Sequence, residues 1–293
     1  MNLYTFDSRH VWHEHIGDAC RRAGIQHKRI GGIEDIDGDG WGFIRPHPAH
    51  MPAHRDLDAH MRGLLDGMIQ DRAQVEVYED KSEQWRRWGD LMPETQRFSS
   101  LDDALSCAPD FPVVSKADEG ASSVNVRIIK SRAEYEEHAR QAFSGEGIKV
   151  NRCADRTFTR QRGYLLIQRF IPHDRTYRVN IVGNRMAIFE RYNYKDRPVA
   201  QTGNTKGVCE FTPLHDSLLD YAAEVGRRIG SRFVALDVLK DHDEWTLLET
   251  SLAWPWTPKD YSDVPLIGGG QWGGLWDALC EDLLSGAFES TSP

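Results

Sequence analysis

The chain has 293 residues, 40% hydrophobic and 28% charged, the balance of a soluble globular protein with room for one large core or a few small lobes. No apolar run nears the roughly 18 residues that span a membrane, and MNLYTFDSRH has neither the basic region nor the apolar stretch of a secretory leader, so a cytoplasmic protein is expected. A net charge of −9 argues against a nucleic-acid backbone as main partner, a local basic groove apart.

The five cysteines, Cys20, Cys107, Cys153, Cys209 and Cys280, are scattered and never form C-x-x-C, so they read as free thiols. Arginines gather between Arg152 and Arg191, which suits a polyanionic ligand such as a nucleoside triphosphate as well as it suits a solvated surface.

In chain order, the first 80 residues alternate strand and helix. Strands are expected at 2–6, 27–30, 42–45 and 75–78, and helices at 11–23 and 56–70, the latter with Leu57, Met61, Leu64, Leu65 and Met68 on one side. That pattern is a small parallel-sheet α/β unit. Most of the twelve histidines lie in the first 60 residues. His47, His50 and His54 fall in RPHPAHMPAH, where the prolines argue for a loop: a metal site, the mouth of an anion site or plain surface. After a helix at 82–88, strand-rich α+β follows, with strands at 113–116, 124–129 and 164–170 and a helix at 132–142. A hairpin at 177–191 turns on Gly183-Asn184, a helix covers 217–229, and a last hairpin runs from 233 to 252.

That last hairpin, FVALDVLKDHDEWTLLETSL, carries the most informative chemistry. A turn symmetric about Asp243 sets Leu239 opposite Leu247, Val238 opposite Leu248 and Asp237 opposite Glu249, with Ser251 beside Ala235 on the same face. Two carboxylates so placed stand about 5 Å apart and repel. A divalent cation would compensate them, and oxygen-only ligands favour Mg²⁺ or Mn²⁺. A register slipped by one would instead send each carboxylate to solvent. Upstream, Lys116 ends a strand and precedes a loop with Gly120, Ser122 and Ser123. Such a loop can aim backbone N–H groups and hydroxyls at phosphate oxygens, although an ordinary polar hairpin looks the same. It is not a Walker loop, because the lysine comes first and no helix follows.

These pieces occur in the order found in the ATP-grasp superfamily, which the chain resembles over residues 80–252. YEDKSEQW…MPET is similar to that family's opening motif, KADEGASSVNV to its lysine and glycine–serine loop, and LLIQRFIP to the strand leading into its adenine hinge. YRVNIVGNRM…ERYN resembles the arginine hairpin of the branch that includes ribosomal-protein glutamate ligases and D-alanine–D-alanine ligase-like enzymes. ALDV with LLETS resembles the metal-binding pair.

The resemblance implies that Lys81 and Lys116 contact the ATP phosphates under a loop of Gly120, Ser122 and Ser123. Gln168, Arg169, Phe170 and Ile171 would hold adenine. Arg178 and Arg191 would steady the transferring phosphoryl group or the substrate carboxylate, and Asn204 and Lys206 would also reach the phosphates, Lys206 adding positive charge for the transfer. Asp237, Glu249 and Ser251 would hold Mg²⁺ or Mn²⁺. Ser251 stands where the family usually has Asn, and Asn125 replaces a customary Gly. For the ribose, alignment on Arg178 puts Thr176 at the position of the expected acid and leaves Asp174 two residues early.

The implied fold is a small N-terminal parallel-sheet domain (1–80) followed by two α+β lobes of an ATP-grasp fold, a central one (81–169) and a C-terminal one with the metal site (170–293). The implied reaction joins a carboxylate to an amine through an acylphosphate, with ADP and phosphate as products and amino-acid, peptide or other small-molecule substrates. A kinase of the same fold and a nucleotide-binding regulatory module stay open, as does homodimerisation. Trp254 and Trp256 suit either an acceptor pocket or the core, and GGGQWGG (268–274) either a lid or a connector.

Overall fold

The computed structural model describes residues 1–7, 13–46, 50–78, 80–107, 109–118, 125–151, 158–192, 209–210, 216–252, 266–269, 271 and 274–288. Strand β1 (Asn2–Asp7), helix α1 (His13–Ala23), β2 (Gln26–Arg29), β3 (Trp41–Arg45), helix α2 (Met51–Leu64) and β4 (Gly67–Met68) form a parallel sheet in the order β2-β1-β3-β4.

Three expectations change in this unit, the first being the helix expected at 56–70, which ends at Leu64 and gives way to β4 with Met68. The histidine- and proline-rich stretch is helical from Met51 onward, because Pro52 sits in the first turn, where no backbone N–H is needed. His54 is buried, edge-on to Phe6 at 5.7 Å, so it belongs to the packing and not to a loop; His47 lies outside the described residues. The segment expected as a strand at 75–78 is instead helix α3 (Arg72–Val77). Its alternating valines mimic a strand because they serve two different cores, Val75 one cluster and Val77 another.

Helix α4 (Lys81–Trp88) starts at Asp80, whose carboxylate accepts from the Glu83 N–H at 2.9 Å, a standard N-cap. Strand β5 (Thr95–Phe98), helix α5 (Leu101–Ser106), β6 (Val113–Lys116), β7 (Val126–Ile129), helix α6 (Arg132–Phe143), the hairpin β8 (Ile148–Asn151) and β9 (Phe158–Gln161), and β10 (Leu165–Arg169) follow. Their antiparallel sheet runs β5-β10-β6-β7. One face of it packs Val113, Ile129, Leu165 and Ile167 against Ala104 of α5 and Tyr135 and Ala139 of α6. The strand period then turns Val114, Lys116, Val126 and Ile128 the other way.

The largest sheet holds β11 (Arg175–Val182), β12 (Arg185–Tyr192), β13 (Cys209–Glu210), β14 (Phe233–Asp241) and β15 (Glu244–Ser251), in the order β13-β12-β11-β14-β15. Helix α7 (Asp216–Ile229) sets Leu218, Ala222, Val225 and Ile229 against Tyr177, Val179, Ile181, Val234 and Leu236. Each large aliphatic side chain buried there contributes about 1.5–3 kcal/mol. Helix α8 (Leu275–Leu284), which the sequence reading left unassigned, returns to pack on α1.

The last hairpin departs from the symmetric reading in an instructive way. Its turn is His242-Asp243, with His242 at φ 55°, so Asp241 pairs with Glu244 and Val238 with Leu247. A β-bulge between Asp237 and Val238 then takes up one extra residue of β15, Leu248, and Asp237 meets Glu249 after all, with Ala235 opposite Ser251. The molecule is thus mixed α/β, a small parallel sheet followed by antiparallel ones. No helix among the described residues is long and apolar enough to cross a membrane.

Candidate functional site

The inward face of the four-stranded antiparallel sheet and that of the large sheet enclose a narrow slot. Val114, Val126, Ile128, Ile171, Leu239 and Leu248 give it apolar walls. Phe170 and His173, on the segment joining the two sheets, also line it, with Gln168 and Arg169 at the end of β10. The four residues expected to hold a base therefore stand together. The Gln168 side chain donates to Thr95 Oγ1 at 2.9 Å, which fixes its amide.

Charge collects at one end of the slot. Lys81, Lys116, Arg178, Arg191 and Asp237 are all buried, and Glu249 is half-buried. Arg178 grips Asp237 with a two-pronged contact at 2.7 and 2.8 Å, and Arg191 reaches the same carboxylate at 2.5 Å. Burial alone would raise the Asp237 pKa, but the two guanidiniums outweigh it and hold the carboxyl at about 2. Like-charge repulsion between Asp237 and Glu249 is therefore relieved inside the protein, by arginine. The awkward register no longer demands a metal by itself.

Glu249 stands 3.9 Å from the Lys81 ammonium. The Lys116 ammonium donates to the Leu248 carbonyl at 3.1 Å, so the bulge residue supplies its partner. The bulge also brings the consecutive residues Leu248 and Glu249 to line one slot, which a regular strand would not do. Burial pushes the Lys116 pKa down to about 8, with Lys81 adding to the effect and Glu249 and Asp237 opposing it. Four cations face two carboxylates, and the surplus of positive charge suits a polyanion.

Asp118 ties this end together. Its carboxylate accepts from the Ser82 N–H at 2.8 Å and from the Tyr164 hydroxyl, so the start of α4 is moored beside the segment after Lys116. The sequence reading passed over this residue, and nothing in the local pattern marks it.

Asp174 lies outside the slot, exposed and paired with Arg175 at 3.1 Å. Thr176 lines the slot instead, and its buried hydroxyl has no hydrogen-bond partner among the described residues. Ser251 sits one step beyond the carboxylate pair, opposite Ala235. Gly120, Ser122, Ser123, Asn204, Lys206, Trp254 and Trp256 fall outside the described residues. Of the five cysteines, Cys20, Cys107 and Cys280 are free thiols in the described part.

Asp237 and Glu249 offer a cation two carboxylates, and no cluster of three or more His, Cys, Asp or Glu residues able to hold a metal occurs among the described residues. Such a partial set fits Mg²⁺, which commonly takes one or two carboxylates and completes its shell with substrate phosphates and water.

No family model and no curated protein matches the chain. Solved structures do, over nearly the whole length. The RimK-domain ATP-grasp protein of Sphaerobacter thermophilus DSM 20745 is 15% identical with a TM-score of 0.63, covering 97% of this chain and 100% of that one. D-alanine–D-alanine ligase from Bacillus anthracis, complexed with ATP, is 13% identical at a TM-score of 0.60, covering 98% and 97%. The ATP-grasp ligase PsnB, complexed with a minimal precursor, Mg and ADP, is 11% identical at 0.61, covering 96% and 97%. At such identities the likeness is one of architecture, and the architecture is the ATP-grasp fold.

Proposed function

We propose that the protein is an ATP-dependent carboxylate–amine ligase acting on amino-acid or peptide substrates. The observation that carries this reading is the buried end of the slot, where Lys81, Lys116, Arg178 and Arg191 outnumber Asp237 and Glu249 beside a cleft with apolar walls. An apolar slot closed by surplus cations suits a nucleoside triphosphate, base first. Gln168, Arg169, Phe170 and Ile171 flank the base, Thr176 stands toward the sugar, and the lysines take the phosphates.

The bond changes follow from that arrangement. A substrate carboxylate oxygen forms a bond to the terminal phosphorus as the bond to the ADP oxygen breaks. The amine nitrogen then attacks the acyl carbon, phosphate leaves, and the nitrogen gives up a proton. Both steps need negative charge to be neutralised and the reacting atoms to be held in line. Arg178 is pre-set for this, since Asp237 locks its guanidinium in one orientation. Lys116 comes from the four-stranded sheet and Arg178 and Arg191 from the large one, so cations would meet the nucleotide from both sides. Asp237 and Glu249 would hold Mg²⁺, which when bound adds positive charge at the phosphates. The neighbours solved with ATP, and with Mg and ADP, support the nucleotide and the cation, and the precursor bound to PsnB supports a peptide substrate class.

The test is ADP release from MgATP across a panel of amino acids and dipeptides, offered in pairs, with Glu249→Ala as control. Release that needs both an acid and an amine, with free phosphate as co-product, is expected. Phosphate retained on one substrate would mean a kinase, and no release above the Glu249→Ala background with any pair would end the ligase reading.

A further inference from the structure

Lys81 and Lys116 both line the slot, yet they stand on different supports. Lys116 ends β6 in the four-stranded sheet. Lys81 opens α4, and α4 is fastened to the large sheet. There the Gln84 amide donates to the Thr250 carbonyl at 3.2 Å and accepts from the Thr250 N–H at 3.0 Å, and Trp88 packs in one core with Val179 and Leu247. Two ammonium groups at one end of a buried slot repel each other, so the protein has to hold both in place. Lys116 has the Leu248 carbonyl for this. Lys81 has Glu249 at 3.9 Å and, closer at hand, Asp118.

Asp118 reaches Lys81 in two ways. Its carboxylate accepts from the N–H of Ser82, the next residue of α4, at 2.8 Å, meeting one of the donors that a helix start leaves without a partner. With the Asp80 cap on the Glu83 N–H, this fixes the backbone on which Lys81 stands. The Asp118 carbonyl lies 3.5 Å from the Lys81 ammonium. It is the carbonyl that faces the ammonium while the carboxylate turns to the helix start, so Asp118 places the lysine without taking up its charge. On its other side Asp118 is tied to the four-stranded sheet. The Tyr164 hydroxyl, just ahead of β10, donates to its carboxylate, and its own N–H donates to the buried Gln161 side chain at 3.3 Å. One residue, two positions after Lys116, therefore sets the span between the two lysines across the slot.

We propose that Asp118 is a positioning residue for the nucleotide phosphates, holding Lys81 beside Lys116 so that both ammonium groups meet the same phosphate chain. This rests on the nucleotide site of the ligase reading above. Asp118 itself touches no phosphate and transfers no proton. It acts through Lys81, and its contribution is orientation already in place before the ligand arrives.

The experiment is a double-mutant cycle on the full chain, with Asp118→Ala, Lys81→Met and the two combined. Each is titrated calorimetrically with MgAMPPNP and with adenosine, which carries base and sugar but no phosphate. Asp118→Ala is expected to weaken MgAMPPNP about tenfold and to leave adenosine within about twofold. In the Lys81→Met background the same change should cost MgAMPPNP no more than about twofold, because a residue that acts through Lys81 has nothing left to act on. Asp118→Asn keeps an acceptor for the Ser82 N–H and should restore most of the affinity. Should Asp118→Ala fail to fold, Tyr164→Phe carries the test: it releases the carboxylate on its far side and should weaken MgAMPPNP about threefold with adenosine unchanged. Equal losses for adenosine and MgAMPPNP would overturn the proposal by making Asp118 a structural tie alone. So would a tenfold loss undiminished in the absence of Lys81, or wild-type affinity in Asp118→Ala or, where it stands in, in Tyr164→Phe. Wild type that binds adenosine and gains nothing from the phosphates would overturn it together with the nucleotide site. Wild type that binds MgAMPPNP yet never releases ADP with any acid and amine would end the ligase reading alone.

Discussion

Lys116 shows how burial sets the working range of a lysine proposed to bind phosphate. Desolvation brings its ammonium down to about 8 from an ordinary 10.5. Between those values the unfolded chain binds more protons than the folded one, so this lysine opposes folding at neutral pH and the opposition fades as pH rises from about 8 to 10.5. Nucleotide binding runs the other way. Phosphate oxygens favour the ammonium, so the complex holds the proton that the free site loses above pH 8. Affinity for MgAMPPNP is expected to be flat from pH 6.5 to about 8 and then to fall by up to tenfold per unit. Lys116→Arg should remove the break, because a guanidinium stays charged throughout. Calorimetric titrations at half-unit intervals decide it, and a wild-type profile flat to pH 9.5 would show that Lys116 does not meet the phosphates as an ammonium.

At the level of elements, the β14–β15 hairpin shows that a right pairing can follow from a wrong turn. Symmetry about Asp243 misplaced the turn by half a step, and the bulge at Leu248 restored the count, so Asp237 and Glu249 met as expected. Bulges carry no reliable sequence mark, since Leu248 is as good a strand residue as Leu247. Its purpose is visible only in three dimensions, where its carbonyl receives the Lys116 ammonium. Deleting Leu248 keeps both halves of the ladder in phase, since Val238–Leu247 and Asp237–Glu249 become successive pairs. The deletion variant should therefore fold, yet bind MgAMPPNP at least about tenfold more weakly, since Lys116 loses its acceptor. Leu248→Ala, which keeps the carbonyl, should lose less. Deletion and substitution that bind as wild type does would remove the bulge from the site. Much of the site was legible for a simpler reason: Lys116, Arg178, Asp237 and Glu249 each lie on a strand whose period-2 pattern fixes the face. Thr176 carries the same period from Arg178 and could have been read with it. That Asp174 stands exposed beside Arg175, outside the slot, was not legible, because the pattern does not show which way that segment turns.

For the whole molecule, the informative contacts join the two ends of the chain. Phe43 of β3 packs on Phe233 of β14 at 5.0 Å and on Trp276 of α8 at 6.2 Å, all within one core cluster that also takes in Leu3, Ile16, Val182 and Leu279. Leu275, Trp276, Leu279 and Leu283 have helical spacing, so the helix itself was readable. Its partner was not, because pairing across more than 250 residues leaves no local signature; the Cys20 and Cys280 sulfurs lie 3.8 Å apart. One shared core predicts one cooperative transition. Trp276→Ala removes a large buried ring from the junction, at a cost of about 3–5 kcal/mol. The expected result in scanning calorimetry is a single endotherm that moves down as a unit, by roughly 2–4 °C per kcal/mol for a chain of this order of size. The exposed Arg22–Asp277 pair at the same junction makes the contrast: Asp277→Asn should shift the midpoint by no more than a few degrees, because water and salt screen an ion pair at the surface. An endotherm that splits in Trp276→Ala, with one component unmoved, would mean that the N-terminal sheet and the large antiparallel sheet fold independently despite their common core.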